Sequence, residues 1–264
     1  MAEFDRWAAY YDVIHRGLPG EAEYYIEEAV RQGGETLELG CGTGRVCIPM
    51  AMSGVRVTGL ELSRKMLQVC RRKLKEVGPV KGHLTLVQGD MRMFDLGRRF
   101  SFAAMPYRTF MHLLTPEDQV ACLSCVRRHL RPDGLFVMNL WAARPSAVAR
   151  FLGDASLKRL RMAGRYPVAG DALTLVHHHA VRYDEFRQLI QERHRIREMD
   201  ARGRLLAEEQ LTLTRAWTTP REMEHLVHRC GFSVEGVWCD FYGTPLQAES
   251  TEMVWVLRRT KGAR

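Results

Sequence analysis

Glu38-Leu39-Gly40-Cys41-Gly42-Thr43-Gly44 lies between a short apolar run, Thr36 to Leu39, and a stretch from Arg45 to Ser53 that reads as a helix. Glycines at alternate positions let the backbone turn sharply and come close to a ligand, and the helix N-terminus behind them offers free N–H groups. Many nucleotide-binding folds use such a loop. A dinucleotide site has the spacing Gly-x-Gly-x-x-Gly, but here the third glycine comes one place earlier and Arg45 stands where it would be. Glu38 also sets a carboxylate at the strand's end, where it repels a pyrophosphate and suits an ammonium group.

Outward from this loop the chain alternates strand and helix. Val55 to Leu60 reads as a second strand, Ser63 to Val77 as a basic helix, and His83 to Val87, Phe100 to Met105 and Leu135 to Leu140 as further strands. That rhythm predicts βαβ units and a parallel sheet covered by helices on both faces. Pro116 to Leu130 reads as an amphipathic helix carrying Cys122 and Cys125 on its buried side. Before the loop, residues 1–34 read as two helices, with Tyr10, Tyr11 and Ile14 on one and Tyr24, Ile26 and Val30 on the next, parted by Gly17-Leu18-Pro19-Gly20. After Trp141 the rhythm breaks. Leu173 to Tyr183, Phe186 to Glu198 and Leu205 to Arg215 read as extended segments, with Asp200-Ala201-Arg202-Gly203 as one of their turns. A helix from Thr219 to Cys230, with Pro220 and Glu222 at its start, and strands at Phe232 to Asp240 and Met253 to Leu257 resume the pattern.

The residues at the strand ends resemble those of class I S-adenosylmethionine-dependent methyltransferases, whose first motif is an acidic residue two before Gly-x-Gly-x-Gly. Glu38, Gly40, Gly42 and Gly44 occupy that motif. Glu61, followed by Leu62, ends the second strand, where the family's carboxylate takes both ribose hydroxyls. Asp90, followed by Met91, comes after the third strand, where the family's Asp binds the adenine amino group; taken alone, Asp90 could instead cap the turn before Phe94. The fourth strand runs through Met105 into Tyr107-Arg108-Thr109-Phe110-Met111-His112-Leu113, where the family places the methionine end and the substrate. Thr109 to Leu113 is similar to a segment of glycine N-methyltransferases, with the sugar-amine N-methyltransferases as further relatives in motif. Tyr11 resembles a tyrosine that closes over the cofactor in these enzymes, though packing of an aromatic helix face accounts for it equally. The resemblance implies S-adenosylmethionine as cofactor, with His112 and Tyr107 as the catalytic candidates. His112 would position the cofactor or accept a proton, or else be a histidine hydrogen-bonded within its helix start. Arg108 departs from the family's Asn, which counts against glycine as the acceptor.

The expected architecture is α/β: a Rossmann-like, seven-stranded, mostly parallel sheet with helices on both faces and an antiparallel β insertion after the fifth strand. Residues 1–34 form a helical cap, 35–142 and 217–264 the methyltransferase domain, and 143–216 an inserted lid for substrate or dimerisation. The expected reaction is methyl transfer to a small-molecule acceptor, an amine nitrogen first, because a neutral amine needs no strong base during displacement. The chain has 264 residues, 46% hydrophobic and 27% charged, which supports a real core. No apolar run approaches the roughly 20 residues of a membrane span, and the N-terminus lacks a secretory pattern, so the cytoplasm is the expected location and no membrane partner is expected. The net charge of +8 favours anionic partners in general. Ala104-Met105-Pro106-Tyr107 nevertheless lacks the amide that would grip a flipped base, which counts against nucleic acid. A non-catalytic cofactor-binding module is the other alternative. In the run His177-His178-His179, alternate residues of a strand face opposite ways, so only His177 and His179 could share an ion, and no metal is expected.

Overall fold

The structure is a computed structural model that describes residues 3–143, 148–149, 153–168 and 173–260. Seven strands form one sheet in the order β10-β11-β5-β4-β1-β2-β3. They are β1 (Glu35–Leu39), β2 (Arg56–Glu61), β3 (His83–Gln88), β4 (Phe100–Met105), β5 (Leu130–Trp141), β10 (Phe232–Trp238) and β11 (Glu252–Arg259). β11 runs antiparallel to both its neighbours and the other pairings are parallel. This is the Rossmann-like, mostly parallel sheet that the sequence implies.

The alternation along β4 shows why both faces carry helices. Phe102 and Ala104 enter one buried cluster with α2 (Glu21–Gln32), α3 (Cys47–Met52) and α4 (Arg64–Val77). Ala103 and Met105 enter the other, with α5 (Pro116–His129) and α6 (Pro220–Arg229). A strand buried on both sides is apolar along most of its length, and β4 is apolar at every position but Ser101, which is only partly buried. The helix starts are written locally. Ser63 caps α4 by accepting from Met66 N, Thr115 caps α5 ahead of Pro116, and Thr219 with Glu222 forms a capping box on α6. Cys122 and Cys125 are both buried.

After β5, four strands make a separate antiparallel sheet in the order β6-β7-β8-β9. They are β6 (Arg161–Pro167), β7 (Leu173–Asp184), β8 (Leu189–Asp200) and β9 (Leu205–Ala216). The sequence predicts three of them. β6 escapes because Gly164, Pro167 and two arginines mask it, and it is an edge strand held only by β7. Two further expectations change. α3 is shorter than Arg45 to Ser53, because residues 40–46 turn as a loop in which Gly40, Gly42 and Gly44 all have positive φ. The buried stripe of α2 is Glu21, Tyr25, Glu28 and Ala29, whereas Val30 is 54% exposed. Two glutamates are buried there because arginines meet them, Arg45 on Glu21 and Arg31 on Glu28, which inverts the polarity pattern.

The N-terminal segment is a 3₁₀ turn (Glu3–Asp5) and one turn of helix, α1 (Tyr11–Ile14), rather than a full first helix. It straps the two sheets together. Asp5 accepts from Ser63 Oγ at 2.7 Å and Asp12 from Thr43 Oγ1 at 2.5 Å, while Trp7 and Tyr10 pack on Leu175, Ile196 and Leu211 of the antiparallel sheet. Among the described residues no helix is long and apolar enough to cross a membrane.

Candidate active site

A cavity of about 500 Å³ opens between the carboxyl ends of β1, β2, β3 and β4 and the antiparallel sheet. That volume is ample for a ligand of nucleotide size. Of the residues singled out from sequence, Tyr11, Gly40, Gly42, Glu61, Leu62, Asp90, Met91, Tyr107 and His112 line it. Glu38, Gly44 and Met105 are not on its lining. Met105 is fully buried in the core, and Gly44 is pressed against Cys70 and Ile48 at a φ of 87°, where no side chain fits.

Glu61 ends β2 facing the glycine loop. Its Oε2 accepts from Gly42 N at 3.0 Å and its Oε1 from Ser63 N at 2.7 Å. Burial pushes its carboxyl up, and these backbone donors oppose that. Each oxygen has two lone pairs, so both can still accept one more hydroxyl. Gly40 turns beneath Thr109: a Cβ added there would stand 2.5 Å from Thr109 Cγ2, so the loop can come this close only as glycine. Behind the loop Glu38 is 2% exposed, its Oε2 has no partner, and burial pushes it up to about 8. The loop and the Glu61 carboxylate beside it therefore present a shaped, hydrogen-bond-accepting wall with unspent capacity, which fits a nucleoside such as that of S-adenosylmethionine, while Glu38 stands behind the loop, off the lining.

Asp90 accepts from Arg92 N at 2.9 Å and pairs with the Arg92 guanidinium, which holds its carboxyl below the usual range. It caps its turn while also lining the cavity. His112 stands at the end of a 3₁₀ turn (Thr109–His112), edge-on to Phe4 at 4.9 Å. Burial, with Arg215 nearby, pushes it down to about 4. Its ring bonds to the backbone of Thr214, and Nδ1 is left without a partner. Tyr107 has φ of 55° and is held there by Glu21, whose Oε1 accepts its N–H at 2.7 Å. The Arg45 guanidinium lies over its ring at 5.0 Å and its hydroxyl is 3.5 Å from His15 Nδ1. Tyr11 stands beside Phe4 and His15. Arg108 pairs with buried Glu252.

Sequence reasoning missed His15, Tyr166, Glu192, His194 and Arg215, which with His177 and His179 make the opposite wall of the cavity. Burial pushes His15 and His177 down to about 4 and His194 to about 3. Burial alone would raise Glu192, but the His179 hydrogen bond and the Arg215 charge hold it down to about 2. Alternation along β7 puts His177 and His179 on one face, but their partners come from β8 and β9, and no local signal announces them.

A family model described as a methyltransferase domain matches residues 36–134. The chain is similar to the cypemycin N-terminal methyltransferase of a Streptomyces species, 29% identical over 232 residues, covering 86% of this chain and 84% of that one. It is 34% identical over 143 residues to the dTDP-3-amino-3,6-dideoxy-α-D-glucopyranose N,N-dimethyltransferase of Streptomyces fradiae, covering 51% and 52% respectively. Among solved structures, the CcbJ methyltransferase of Streptomyces caelestis superposes with a TM-score of 0.72 at 25% identity, covering 92% and 91%. Glycine loop, strand-end carboxylates and relatives agree: the chain is an S-adenosylmethionine-dependent methyltransferase, with a methyltransferase domain over residues 36–134 and motifs similar to those of the class I enzymes.

Proposed function

We propose that the protein methylates the amine nitrogen of a small molecule held between the glycine loop and the antiparallel sheet. The observation that carries this reading is one cavity in which Glu61, Asp90, Tyr107 and His112 line the wall opposite the antiparallel sheet. Relatives named as N-methyltransferases of a peptide N-terminus and of an amino sugar support an amine. S-adenosylmethionine, when bound, supplies a methyl group already activated by its sulfonium. What remains for the protein is to orient, to exclude water and to leave the amine's lone pair free.

In this reading Glu61 takes the ribose hydroxyls on its two spare lone pairs, and Asp90 the adenine amino group. Gly40 and Gly42 give close backbone approach, Leu62 and Met91 flank the nucleoside, and Tyr11 closes over it from the strap. Because His112 is neutral and its other nitrogen is engaged by Thr214, Nδ1 accepts a hydrogen bond. An acceptor N–H donated to it would turn the nitrogen lone pair toward the methyl-donor side. A histidine this weakly basic orients the amine and does not store its proton. Residues 143–216 act as the acceptor lid.

Calorimetry with S-adenosylhomocysteine tests the cofactor half: binding must be present and must weaken in Glu61→Ala. A screen of amines, thiols and phenols with labelled donor tests the acceptor half. Transfer only to thiols or phenols, or only to RNA or DNA, overturns the amine reading.

A further inference from the structure

The wall built by the antiparallel sheet carries a set of donors that methyl transfer does not use. His179 and His194 stand opposite one another in the β7–β8 register, and Glu192, two residues before His194, shares their face. One nitrogen from each imidazole and one carboxylate oxygen lie within 4.8 Å of one another. His179 Nε2 is 3.2 Å from Glu192 Oε1, a separation that two ligands of one ion also have. His194 is 5% exposed and lines the cavity, yet its Nε2 has no hydrogen-bond partner.

The surroundings of these three residues are those of a ligand set. His194 Nδ1 is held by His177 Nε2 at 2.9 Å, so the ring is fixed through one nitrogen while the other stays open. Arg215 fixes the carboxylate, donating Nη2 to Oε1 at 2.7 Å and Nε to Oε2 at 3.0 Å. Metal-ligating histidines and carboxylates are oriented by outer partners in this way.

We propose that His179, Glu192 and His194 form a divalent transition-metal site whose open positions face the cavity and take an oxygen of the acceptor. An ion at the centre of a triangle with 4.8 Å sides lies about 2.8 Å from each corner. Movements of under about 1 Å per side chain then reach the roughly 2.0–2.2 Å of zinc-type bonds. Two imidazoles and one carboxylate suit Zn²⁺, Co²⁺, Ni²⁺ or Fe²⁺ and not Mg²⁺ or Ca²⁺, which want oxygen ligands throughout. On binding, the proton of His179 Nε2 moves to Nδ1, and the contact with Glu192 is replaced by a shared ion. Arg215 already neutralises Glu192, so the dication keeps its charge for the fourth ligand, an oxyanion or a hydroxyl beside the acceptor nitrogen.

The full-length chain without a polyhistidine tag, stripped with chelator, is titrated with Co²⁺ and Zn²⁺ by calorimetry, and bound Co²⁺ is followed by its visible spectrum. The expected result is one saturable equivalent, weakened roughly 100-fold or more in His194→Ala and roughly 10–100-fold in His177→Phe. His178→Ala changes the opposite face of β7 and should bind like the parent. If His194→Ala fails to fold, His179→Gln takes its place. No saturable uptake by the parent, or uptake unchanged in both His194→Ala and His179→Gln, overturns the site. The readout needs no methyl donor, so its failure would leave the methyl-transfer reading standing.

Discussion

Replacing Glu61 by Gln changes one atom in a carboxylate that does two jobs. Both oxygens accept backbone N–H groups, from Gly42 at 3.0 Å and Ser63 at 2.7 Å, in a side chain 9% exposed. Gln keeps one acceptor and sets an NH₂ against the other donor. That loses one hydrogen bond to a charged acceptor, about 1.5–3 kcal/mol, and leaves a buried N–H facing a second donor, about 1–3 kcal/mol. With some relaxation, a loss of about 2–4 kcal/mol in stability is expected, or roughly 5–15 °C in Tm for a chain of this size. On the cofactor side, one ribose hydroxyl loses a charged partner, again about 1.5–3 kcal/mol, so S-adenosylhomocysteine should bind roughly 10- to 100-fold more weakly. Scanning calorimetry and titration calorimetry read the two effects separately. A folded Glu61→Gln with unchanged Tm, or one binding within about threefold of the parent, would refute the reasoning on the corresponding side.

Three other substitutions probe different parts of the fold. Gly40→Ala meets Thr109 Cγ2 at 2.5 Å with φ at 66°, so a loss of about 2–3 kcal/mol is expected; adding Thr109→Ser removes the clashing methyl and should recover part of it on urea denaturation. Glu38 is pushed up to about 8 when folded against an ordinary 4.5, so between those values the folded chain holds a proton that the unfolded one has released. Stability due to Glu38 therefore falls as pH rises across that window, by at most about 5 kcal/mol, and Glu38→Gln should flatten the slope; equal slopes for parent and variant would count against it. His112→Ala should lower kcat roughly 10- to 100-fold while leaving S-adenosylhomocysteine affinity within about threefold, and loss of affinity instead of turnover would assign His112 to the cofactor.

The glycine loop and the strand-end carboxylates were readable because each rests on a few consecutive residues: strand, turn, helix start. The same locality made α4, α5 and α6 readable, the last through Pro220 and Glu222 at its start. What escaped depends on pairings far apart in the chain. Glu21 lies 86 residues before the Tyr107 N–H it holds, and its burial beside Arg45 disguised the inner face of α2. The wall built by the antiparallel sheet depends on the register that sets His179 opposite His194, and a slip of one residue would turn the whole set outward.

The two walls of the cavity are encoded apart: residues 40–92 and 107–113 build one, residues 163–215 most of the other. If the antiparallel sheet holds the acceptor, as proposed, a lineage can revise what it modifies by mutating β6 to β9 while the glycine loop is inherited intact. Enzymes with one donor and many products would be expected to diverge fastest along that antiparallel sheet. Grafting the segment between relatives is then the natural way to redirect the chemistry, with Trp7 and Tyr10 carried along, since they are the joint on which the exchanged sheet must seat.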